Sequence, residues 1–327
     1  MLAALLAALT GHPVDAERWA DVVDHWQYGD PARPADPASE AWAALQRAVL
    51  CRHGVEQMRA DADETARRFA DQGVADPAPA LMRGIAHVLS GDVDGGDASL
   101  EDAASVATAT GTSDVLAVAL CERALIAMTH GQWDRAEVLA SQARAPLRQA
   151  GIEESYVTPL ACAAQARISL HRGDVPAARQ QLIMAQRLRP VLTYAVPYLA
   201  AQTRIELARA HLALADVAGA RTLMREVDEL LRRRPDLGIL IGQAQALRTQ
   251  LSKERGSAAP GASALTDAEL RLLPLLATHL TFPELGQELF LSRNTIKTQA
   301  NSIYRKLGAS TRSQAVTRAR ELGLLEG

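Results

Sequence analysis

The amino-acid sequence predicts an all-α protein, with an array of helical hairpins followed by a small four-helix domain. Three observations predict this fold class. The chain is rich in Ala but has only three Phe, four Trp and five Tyr; it lacks the period-two alternation of strands; and one turn pattern recurs through its first three quarters. With 327 residues, 48% of them hydrophobic, the chain can form two or more domains with buried cores.

A helical-hairpin repeat is the first predicted element. Its turn residues, Gly91, Gly131, Gly173 and Ala215, are separated by 40, 42 and 42 positions. Small residues recur seven positions before each turn and five positions after it: Gly84, Ala124, Ala166 and Ala208, then Gly96, Ala136, Ala178 and Ala220. Small side chains let two helices approach closely, and a lone hairpin exposes an apolar face that only stacking can bury. The pattern therefore predicts a solenoid.

The array begins upstream of these repeats and ends at a linker. Residues 2–23 fit the same pattern around Gly11, and residues 40–72 predict a looser hairpin. The proline-rich segment YGDPARPADPASE between them predicts a loop. We expect the array to occupy residues 1–251. The segment SKERGSAAPGASA, residues 252–264, predicts a flexible linker because it has no periodic apolar positions.

The repeat pattern resembles the tetratricopeptide repeat (TPR). Its small residues fall at matching offsets, and Pro190 takes the place of the closing proline of that repeat. Arg83, Arg123 and Gln165 stand where an apolar residue is usual, the aromatic positions are mostly absent, and the period exceeds the roughly 34 residues of the family. We therefore describe the array as TPR-like.

Enzymatic motifs are absent from the sequence. No Gly-Lys pair exists, which excludes a P-loop, and neither HExxH nor GxSxG occurs. We expect no enzyme activity, no cofactor and no metal. Cys51, Cys121 and Cys162 have no CxxC spacing and are interpreted as buried helix thiols. No apolar stretch reaches the roughly 20 residues that span a bilayer, so we expect no membrane partner and a cytoplasmic location.

Three side chains of the array are candidates for ligand binding, but packing explains them better. His87 and His211 occupy the same repeat position, four residues before the turn, and Trp133 follows a turn by two residues. Such positions face a hairpin partner or the groove of a solenoid. We expect all three to pack against neighbouring helices.

The last domain, residues 265–327, is predicted from its helix-start signals. Three hydroxyl N-caps are each followed three residues later by Glu or Gln, as in a capping box: Thr266 with Glu269, Thr281 with Glu284, and Thr311 with Gln314. A fourth helix begins after Ser292 and ends at Gly308. The short reversal in ELGQELFLSRNT, with Gly286 allowing close approach, predicts a helix-turn-helix. Residues 263–327 carry eight Arg and Lys against six Asp and Glu, a net +2 that suits DNA.

The helix in LSRNTIKTQANSIYRKLG has two chemically different faces. At roughly 100° per residue, the apolar face contains Ile296, Ala300, Ile303, Tyr304 and Leu307. The opposite face has no carboxylate and contains Asn294, Lys297, Thr298, Asn301 and Arg305. Amides and hydroxyls read base edges in the major groove, and Lys and Arg bind phosphates or guanine acceptors. A merely solvated face would include Glu, so the pattern predicts a recognition helix.

Together these segments resemble the LuxR-type (GerE-type) helix-turn-helix domain over residues 265–325. The matching positions are Glu269 as the first-helix acid, Thr295 and Lys297 in the TxK start, and Lys306, Leu307 and Gly308 in the KLG end. The resemblance implies that Lys297, Thr298 and Asn301 face the DNA groove and that the last helix, about residues 312–322, contributes to dimerisation. Gln299 in place of His and Gly286 in place of Ala are departures from the family pattern.

The order of the two regions is similar to the C-terminal part of large ATP-binding LuxR-family regulators. The nucleotide-binding domain of those proteins has no counterpart here, so we expect no switching by nucleotide. A solenoid normally carries a polar capping repeat at its end, whereas this array opens with an apolar helix. The hypothesis that follows is that an upstream segment has been lost or is supplied by a partner. The absence of βα alternation also argues against a phosphoacceptor receiver domain.

The sequence thus predicts a DNA-binding transcriptional regulator that acts as a homodimer, with a repeat groove that senses a small molecule or a protein. The alternative is an adaptor whose groove binds a protein partner. Base reading is assigned to Lys297, Thr298 and Asn301, and phosphate binding to Ser292, Arg293, Arg305, Lys306 and Arg312. Arg293 and Arg312 are equally compatible with solvated surface charges.

Overall fold

A computed structural model describes residues 1–28, 37–254 and 265–325, with the side chains of residues 26–28 left aside. These ranges are all-α: they contain seventeen α-helices, one short 3-10 helix and no strand. The first thirteen helices are α1 (Leu2–Leu9), α2 (Pro13–Tyr28), α3 (Pro37–Leu50), α4 (Val55–Asp71), α5 (Ala78–Leu89), α6 (Val93–Thr110), α7 (Ser113–Thr129), α8 (Trp133–Gln149), α9 (Thr158–His171), α10 (Val175–Leu188), α11 (Pro197–Ala213), α12 (Val217–Arg233) and α13 (Ile239–Lys253). The 3-10 helix is Arg189–Val191, and the last four helices are α14 (Asp267–Leu275), α15 (Phe282–Glu288), α16 (Arg293–Leu307) and α17 (Arg312–Glu321).

Consecutive helices pair as hairpins around the predicted turn residues. Gly91 and Ala215, for example, separate α5 from α6 and α11 from α12, with φ of +91° and +58°. The small residues lie where the helices touch. A Cβ on Gly84 would lie 2.8 Å from Cγ of Leu100, and a Cβ on Gly96 would lie 2.5 Å from a methyl carbon of Val88. Larger side chains would therefore force these helices apart.

The two repeat histidines each bind the residue that caps the next helix. His87 Nδ1 lies 2.7 Å from Asp92 Oδ2, and His211 Nδ1 lies 3.0 Å from Asp216 Oδ2. Each aspartate also accepts a backbone N–H at the start of the following helix. The histidines thus do more than the predicted packing, because they brace the N-caps on which the second helix of each hairpin starts.

Charged and aromatic departures from the repeat pattern also have local partners. Arg123, which replaces an apolar residue, donates through Nε to Asp97 Oδ1 at 2.8 Å and lies 3.1 Å from Glu101 Oε1. Trp133 stacks on His171 with ring centroids 3.9 Å apart. Both side chains therefore join one hairpin to the next.

The array curls back so that its first helices touch its last ones. Arg234, after α12, forms an ion pair with Glu17 of α2. A Cβ on Gly11 would lie 3.2 Å from Cα of Val191, and the phenol of Tyr198 donates to Met82 Sδ at 3.4 Å. One continuous hydrophobic core runs through α1 to α13. The repeats thus form a closed curl rather than an open arc.

Two predicted boundaries and the predicted position of one cysteine differ from the structure. The predicted proline-rich loop extends too far, because α3 already begins at Pro37. Residues 29–36 lie outside the described residues. The predicted linker starts too early, because Ser252 and Lys253 still belong to α13; residues 255–264 lie outside the described residues. Cys51 is buried as expected but follows the end of α3, with φ of +43°. Among the described residues no helix has the length and apolarity needed to cross a membrane.

Residues 265–325 form a second hydrophobic core, and a buried cluster of charges joins it to the repeats. Asp267, the first residue of α14, accepts from Arg189 Nε at 2.7 Å and also binds Arg204 Nη2. Both guanidinium groups bind Glu226 of α12, at 3.3 and 3.1 Å. Burial alone would raise the pKa of Asp267, but the adjacent Arg204 and Arg189 hold it below its usual range. The carboxylate therefore stays ionised inside the interface.

Backbone groups complete this interface. Arg189 Nη2 donates to the carbonyl of Leu265 at 2.9 Å, and the N–H of Asp267 donates to Glu226 Oε1 at 3.1 Å. A second contact joins the end of α17 to α10. Gly323 lies so close to Ile183 that a Cβ on Gly323 would be 3.3 Å from Cγ2 of Ile183. The C-terminal core is docked on the array at two places.

A carboxyl group with a raised pKa lies in the interior of the array. Glu122 of α7 is 2% exposed and accepts a hydrogen bond from Gln202 Nε2 at 2.8 Å, but its Oε1 has no partner. Burial, with Glu206 nearby, raises the pKa of Glu122 to about 7. The side chain is therefore half protonated near neutral pH.

Glu122→Gln is predicted to stabilise the protein at pH 8 by up to about 3 kcal/mol and to change little at pH 5. Because the folded-state pKa is raised, the stability linked to Glu122 is full below about pH 4.5 and is lost as the pH rises through about 7. Urea unfolding at pH 5 and pH 8 measures the difference. The exposed carboxylate change Glu56→Gln is the control, and the same pH dependence in Glu122→Gln and the unmodified chain would contradict the account.

Candidate nucleic-acid interface

The apolar face of α16 builds the small C-terminal core. Ile296, Ala300 and Ile303 are completely buried, and Leu307 is nearly so. They pack with leucines of α14 and α15 and with alanines of α17. Since one face of α16 is fixed inside this core, the orientation of its other face is fixed too.

Side-chain caps set the ends of these helices. Thr266 and Glu269 form a reciprocal capping box at α14, with bonds of 3.3 and 2.8 Å. At α16 the hydroxyl of Ser292 accepts the N–H of Thr295 at 3.1 Å, and Gly308 ends the helix in the left-handed conformation. The other two predicted boxes differ in detail: Glu284 binds both the N–H and the hydroxyl of Thr281, and Gln314 reaches the N–H of Ser310 instead of its own cap residue.

The turn between α15 and α16 depends on a close backbone approach. The N–H of Leu291 donates to the carbonyl of Gly286 at 2.8 Å, and a Cβ on Gly286 would lie 2.6 Å from the carbonyl oxygen of Leu291. Phe290 has φ of +54° and a side chain that is 95% exposed. Glycine at position 286 thus lets the reversal be tighter than an alanine would.

The outward face of α16 is exposed and free of carboxylates. Asn294, Lys297, Thr298, Asn301 and Arg305 are all exposed. The hydroxyl of Thr298 donates to the carbonyl of Asn294 at 2.9 Å, so its oxygen points along the helix with lone pairs available to an external donor. The structure therefore brings the three residues predicted to read bases onto one surface.

The five residues predicted to bind phosphate fall into two groups. Arg293 and Arg305 are exposed and make no ion pair with any described residue. Ser292 is exposed too, although its hydroxyl already accepts the N–H of Thr295. These three lie at the two ends of the outward face, where the backbones of a duplex would pass a helix in the major groove.

The other two, Lys306 and Arg312, are engaged inside the domain. Lys306 Nζ lies 2.6 Å from Glu269 Oε2, and both side chains are largely buried. Arg312 donates to four backbone carbonyls, those of Leu275, Leu276, Thr278 and Leu280, at 2.6 to 3.3 Å. The phosphate-binding role of Lys306 and Arg312 stays a prediction. Their contacts give each a structural role: Lys306 links α16 to α14, and Arg312 donates hydrogen bonds to the carbonyl groups at and after the end of α14, which have no partner within the helix.

Basic side chains of the repeats lie beside the C-terminal end of α16. Arg221 and Arg225 of α12, with Arg248 of α13, line a groove of about 570 Å³ that Lys306 also lines. Arg221 donates to the carbonyl of Glu254 at 2.9 Å, and Arg248 pairs with Asp228. The sequence does not associate these residues with the C-terminal domain, because no motif links helices that meet only in the folded structure.

Within the described residues, no group of three or more His, Cys, Asp or Glu is arranged to hold a metal ion. The chemistry that this surface offers is hydrogen bonding and positive charge.

Comparison with known proteins identifies the domain. Residues 263–319 match the family of "Bacterial regulatory proteins, luxR family". The spore germination protein GerE of Bacillus subtilis (strain 168) is 37% identical over 62 residues, which are 19% of this chain and 84% of GerE. The chain belongs to the luxR family. The family match covers α14 to α16 and all but the last two residues of α17.

Two longer relatives match over a short stretch of the chain. The transcriptional regulatory protein YdfI of Bacillus subtilis (strain 168) is 39% identical over 61 residues, 19% of this chain and 29% of YdfI. The probable transcriptional regulatory protein NarL of Mycobacterium tuberculosis (strain ATCC 25618 / H37Rv) is 36% identical over 72 residues, 22% of this chain and 33% of NarL. The chain thus spans about a third of the length of these two relatives.

The chain has a distant likeness among solved structures. The crystal structure of BtubC (BKLC) from P. vanneervenii aligns with a TM-score of 0.39 and 15% identity, covering 76% of this chain and 94% of that one. A likeness at this level carries no functional argument. The luxR-family match therefore rests on the C-terminal helices.

Arg312→Lys is predicted to destabilise the luxR-family domain by about 2 kcal/mol, because a single ammonium leaves some of the four carbonyls without a donor. Thermal unfolding of the full chain measures the loss. The matched control is Arg320→Lys, an exposed change on the same helix. Unchanged stability of Arg312→Lys, together with weaker DNA binding, would show that the guanidinium serves DNA and not the fold.

Proposed function

We propose that this luxR-family protein is a transcriptional regulator that binds a specific DNA site by inserting α16 into the major groove. The observation that carries the proposal is the outward face of α16: its side chains are amides, a hydroxyl and cations, all exposed, on a helix whose other face is locked in the core. Major-groove edges present donors and acceptors that such side chains can read.

Base reading is assigned to Lys297, Thr298 and Asn301. They lie on the N-terminal two-thirds of α16, the part of a recognition helix that enters the groove. The amide of Asn301 can bind adenine through two hydrogen bonds, and Lys297 can donate to the acceptors of guanine. Thr298 supplies a methyl group and a hydroxyl beside them.

Phosphate binding is assigned first to Arg293 and Arg305, because each is exposed without an ion-pair partner among the described residues. Ser292 is placed to add a contact at the N-terminus of α16, where backbone N–H groups also favour an anion. In this proposal Lys306 contributes positive charge beside the outward face of α16 while it remains paired with Glu269.

The protein acts as a homodimer on a pseudo-palindromic site in the cytoplasm, with α17 as the contact between copies. The resemblance to LuxR-type domains supports this role of the last helix. The repeat region, residues 1–251, is the regulatory module, which senses a small molecule or a protein. Its physical connection to α14 through Asp267 supports that assignment, since a change in the repeats reaches the DNA-binding domain directly.

Selection of a randomised DNA library by the purified chain across a salt series tests the proposal. An enriched motif with two related half-sites, and affinity that falls steeply with salt, is the expected result. Weak and unselective retention at every salt concentration would contradict it and would favour the adaptor hypothesis.

Asn301→Ala is predicted to lower affinity for the selected site by about 1–3 kcal/mol and to relax preference at one base position, because it removes a direct base contact. Arg305→Ala is predicted to weaken binding to all sequences alike and to lower the salt slope by about one. Fluorescence anisotropy with matched and mismatched duplexes measures both effects.

The control for these two variants is Gln142→Ala, an exposed change on α8 that should leave DNA binding unaltered. Equal, sequence-independent losses in Asn301→Ala and Arg305→Ala would overturn the division of roles between them.

A further inference from the structure

A cavity of about 210 Å³ lies inside the curl of the repeats. Its walls come from helices far apart in sequence, including Leu5 of α1, Trp42 of α3, Ile85 of α5, Val118 of α7 and Leu199 of α11. The surface of the cavity is mainly apolar. Ligand sites in proteins have this character, and an apolar cavity of about 150 Å³ is large enough to hold benzene.

The polar side chains that line the cavity are those of Asp76 and Asp114, Tyr156 and Tyr198, Thr112 and Trp42. Asp114 Oδ2 accepts a hydrogen bond from the hydroxyl of Tyr156 at 3.0 Å, and Asp76 Oδ1 accepts the N–H of Ala78 at 2.8 Å. Tyr198 donates to Met82 Sδ. No Arg, Lys or His is among the described residues that line the cavity. Its electrostatic character is therefore negative.

Buried polar atoms without partners lie one helical turn from this cavity on three helices. They are both amide atoms of Gln46 on α3, Oε1 of Glu122 on α7 and Oγ1 of Thr203 on α11. The cavity-lining residues four positions before them are Trp42, Val118 and Leu199. Buried polar groups are normally hydrogen-bonded, but these three residues do not line the cavity, so they do not identify its occupant.

The cavity wall is physically continuous with the docking cluster of the DNA-binding domain. Tyr198 and Leu199 begin α11, and Arg204 follows little more than a turn later. Arg204 donates to the carbonyls of Ala200 and Leu192 at 3.0 Å and also binds Asp267. A displacement of the start of α11 therefore moves the side chain that holds α14.

We propose that this cavity is an effector site for a small amphipathic cation, a compact apolar body carrying one protonated amine. The apolar walls accept the body, and Asp114 and Asp76 bind the ammonium group, while a carboxylate or phosphate ligand is repelled. The assignment rests on the proposed function, since it identifies the signal that the repeats pass to the DNA-binding domain.

Three probes with the same aromatic body test the chemical class on the full chain: 2-phenylethylamine, 2-phenylethanol and phenylacetate, each titrated by calorimetry at neutral pH. The amine is expected to bind at least about tenfold more tightly than the alcohol, and the acid is expected to give no binding. Equal affinity for all three, or no binding by the amine, would overturn the proposal.

Two variants test whether the amine binds in the cavity. Val118→Phe fills it and is expected to abolish binding of the amine and the alcohol, with circular dichroism as the check on folding. Asp114→Asn keeps the acceptor for Tyr156 and is expected to reduce the preference for the amine about tenfold. The matched control is Asp94→Asn, a change in the first turn of α6 at an exposed site. Unaltered amine binding in both cavity variants would refute the site.

The DNA selection described above separates this inference from the proposed function. A chain that selects a DNA motif but ignores the amine contradicts the cavity assignment alone. A chain that binds the amine with the expected dependence on Asp114 but selects no DNA, with or without the amine, contradicts the proposed function alone. Where both hold, adding the amine is expected to change DNA affinity.

Discussion

The pairing of Arg189 and Arg204 with Asp267 is the interaction that determines how the molecule is assembled. It joins the two separate hydrophobic cores of the described residues, and it positions α14 and, through the second core, α16. Both cations are nearly fully buried, so loss of the Asp267 carboxylate would leave buried charge uncompensated, a change that typically costs about 3–5 kcal/mol. In the proposed function, this cluster passes changes in the geometry of the repeats to the DNA-binding domain.

Much of the fold was predictable because it follows from local signals. The turn residues at intervals of about 40, the small residues around them and the hydroxyl N-caps place the hairpins and the last four helices. The closing of the array was not predictable. Contacts such as Glu17 with Arg234 connect positions more than two hundred residues apart, and no periodic pattern carries that information. The helical state of Ser252 and Lys253 was missed since polar residues at a helix end resemble a linker.

For the interface, the two faces of α16 could be assigned from sequence because helical periodicity alone decides which side chains point together. Lys297, Thr298 and Asn301 lie on the outward face for this reason. Lys306 and Arg312 show the limit of such reasoning. A cation near a recognition helix can bind a carboxylate, the carbonyl groups at a helix end or a phosphate equally well. Only the tertiary contacts of Lys306 with Glu269 and of Arg312 with the end of α14 show which partner each cation has in the fold. The cavity and its two carboxylates likewise arise only where distant helices meet.

Hydrogen–deuterium exchange of the full chain, with and without a duplex that it selects, shows which helix contacts DNA. If α16 is the DNA-reading helix, the duplex should slow exchange most in residues 292–305 and leave the exterior helices of the repeats unchanged. Protection concentrated on the repeats, with none in α16, would contradict the account and would show that DNA or its partner is bound elsewhere on the molecule.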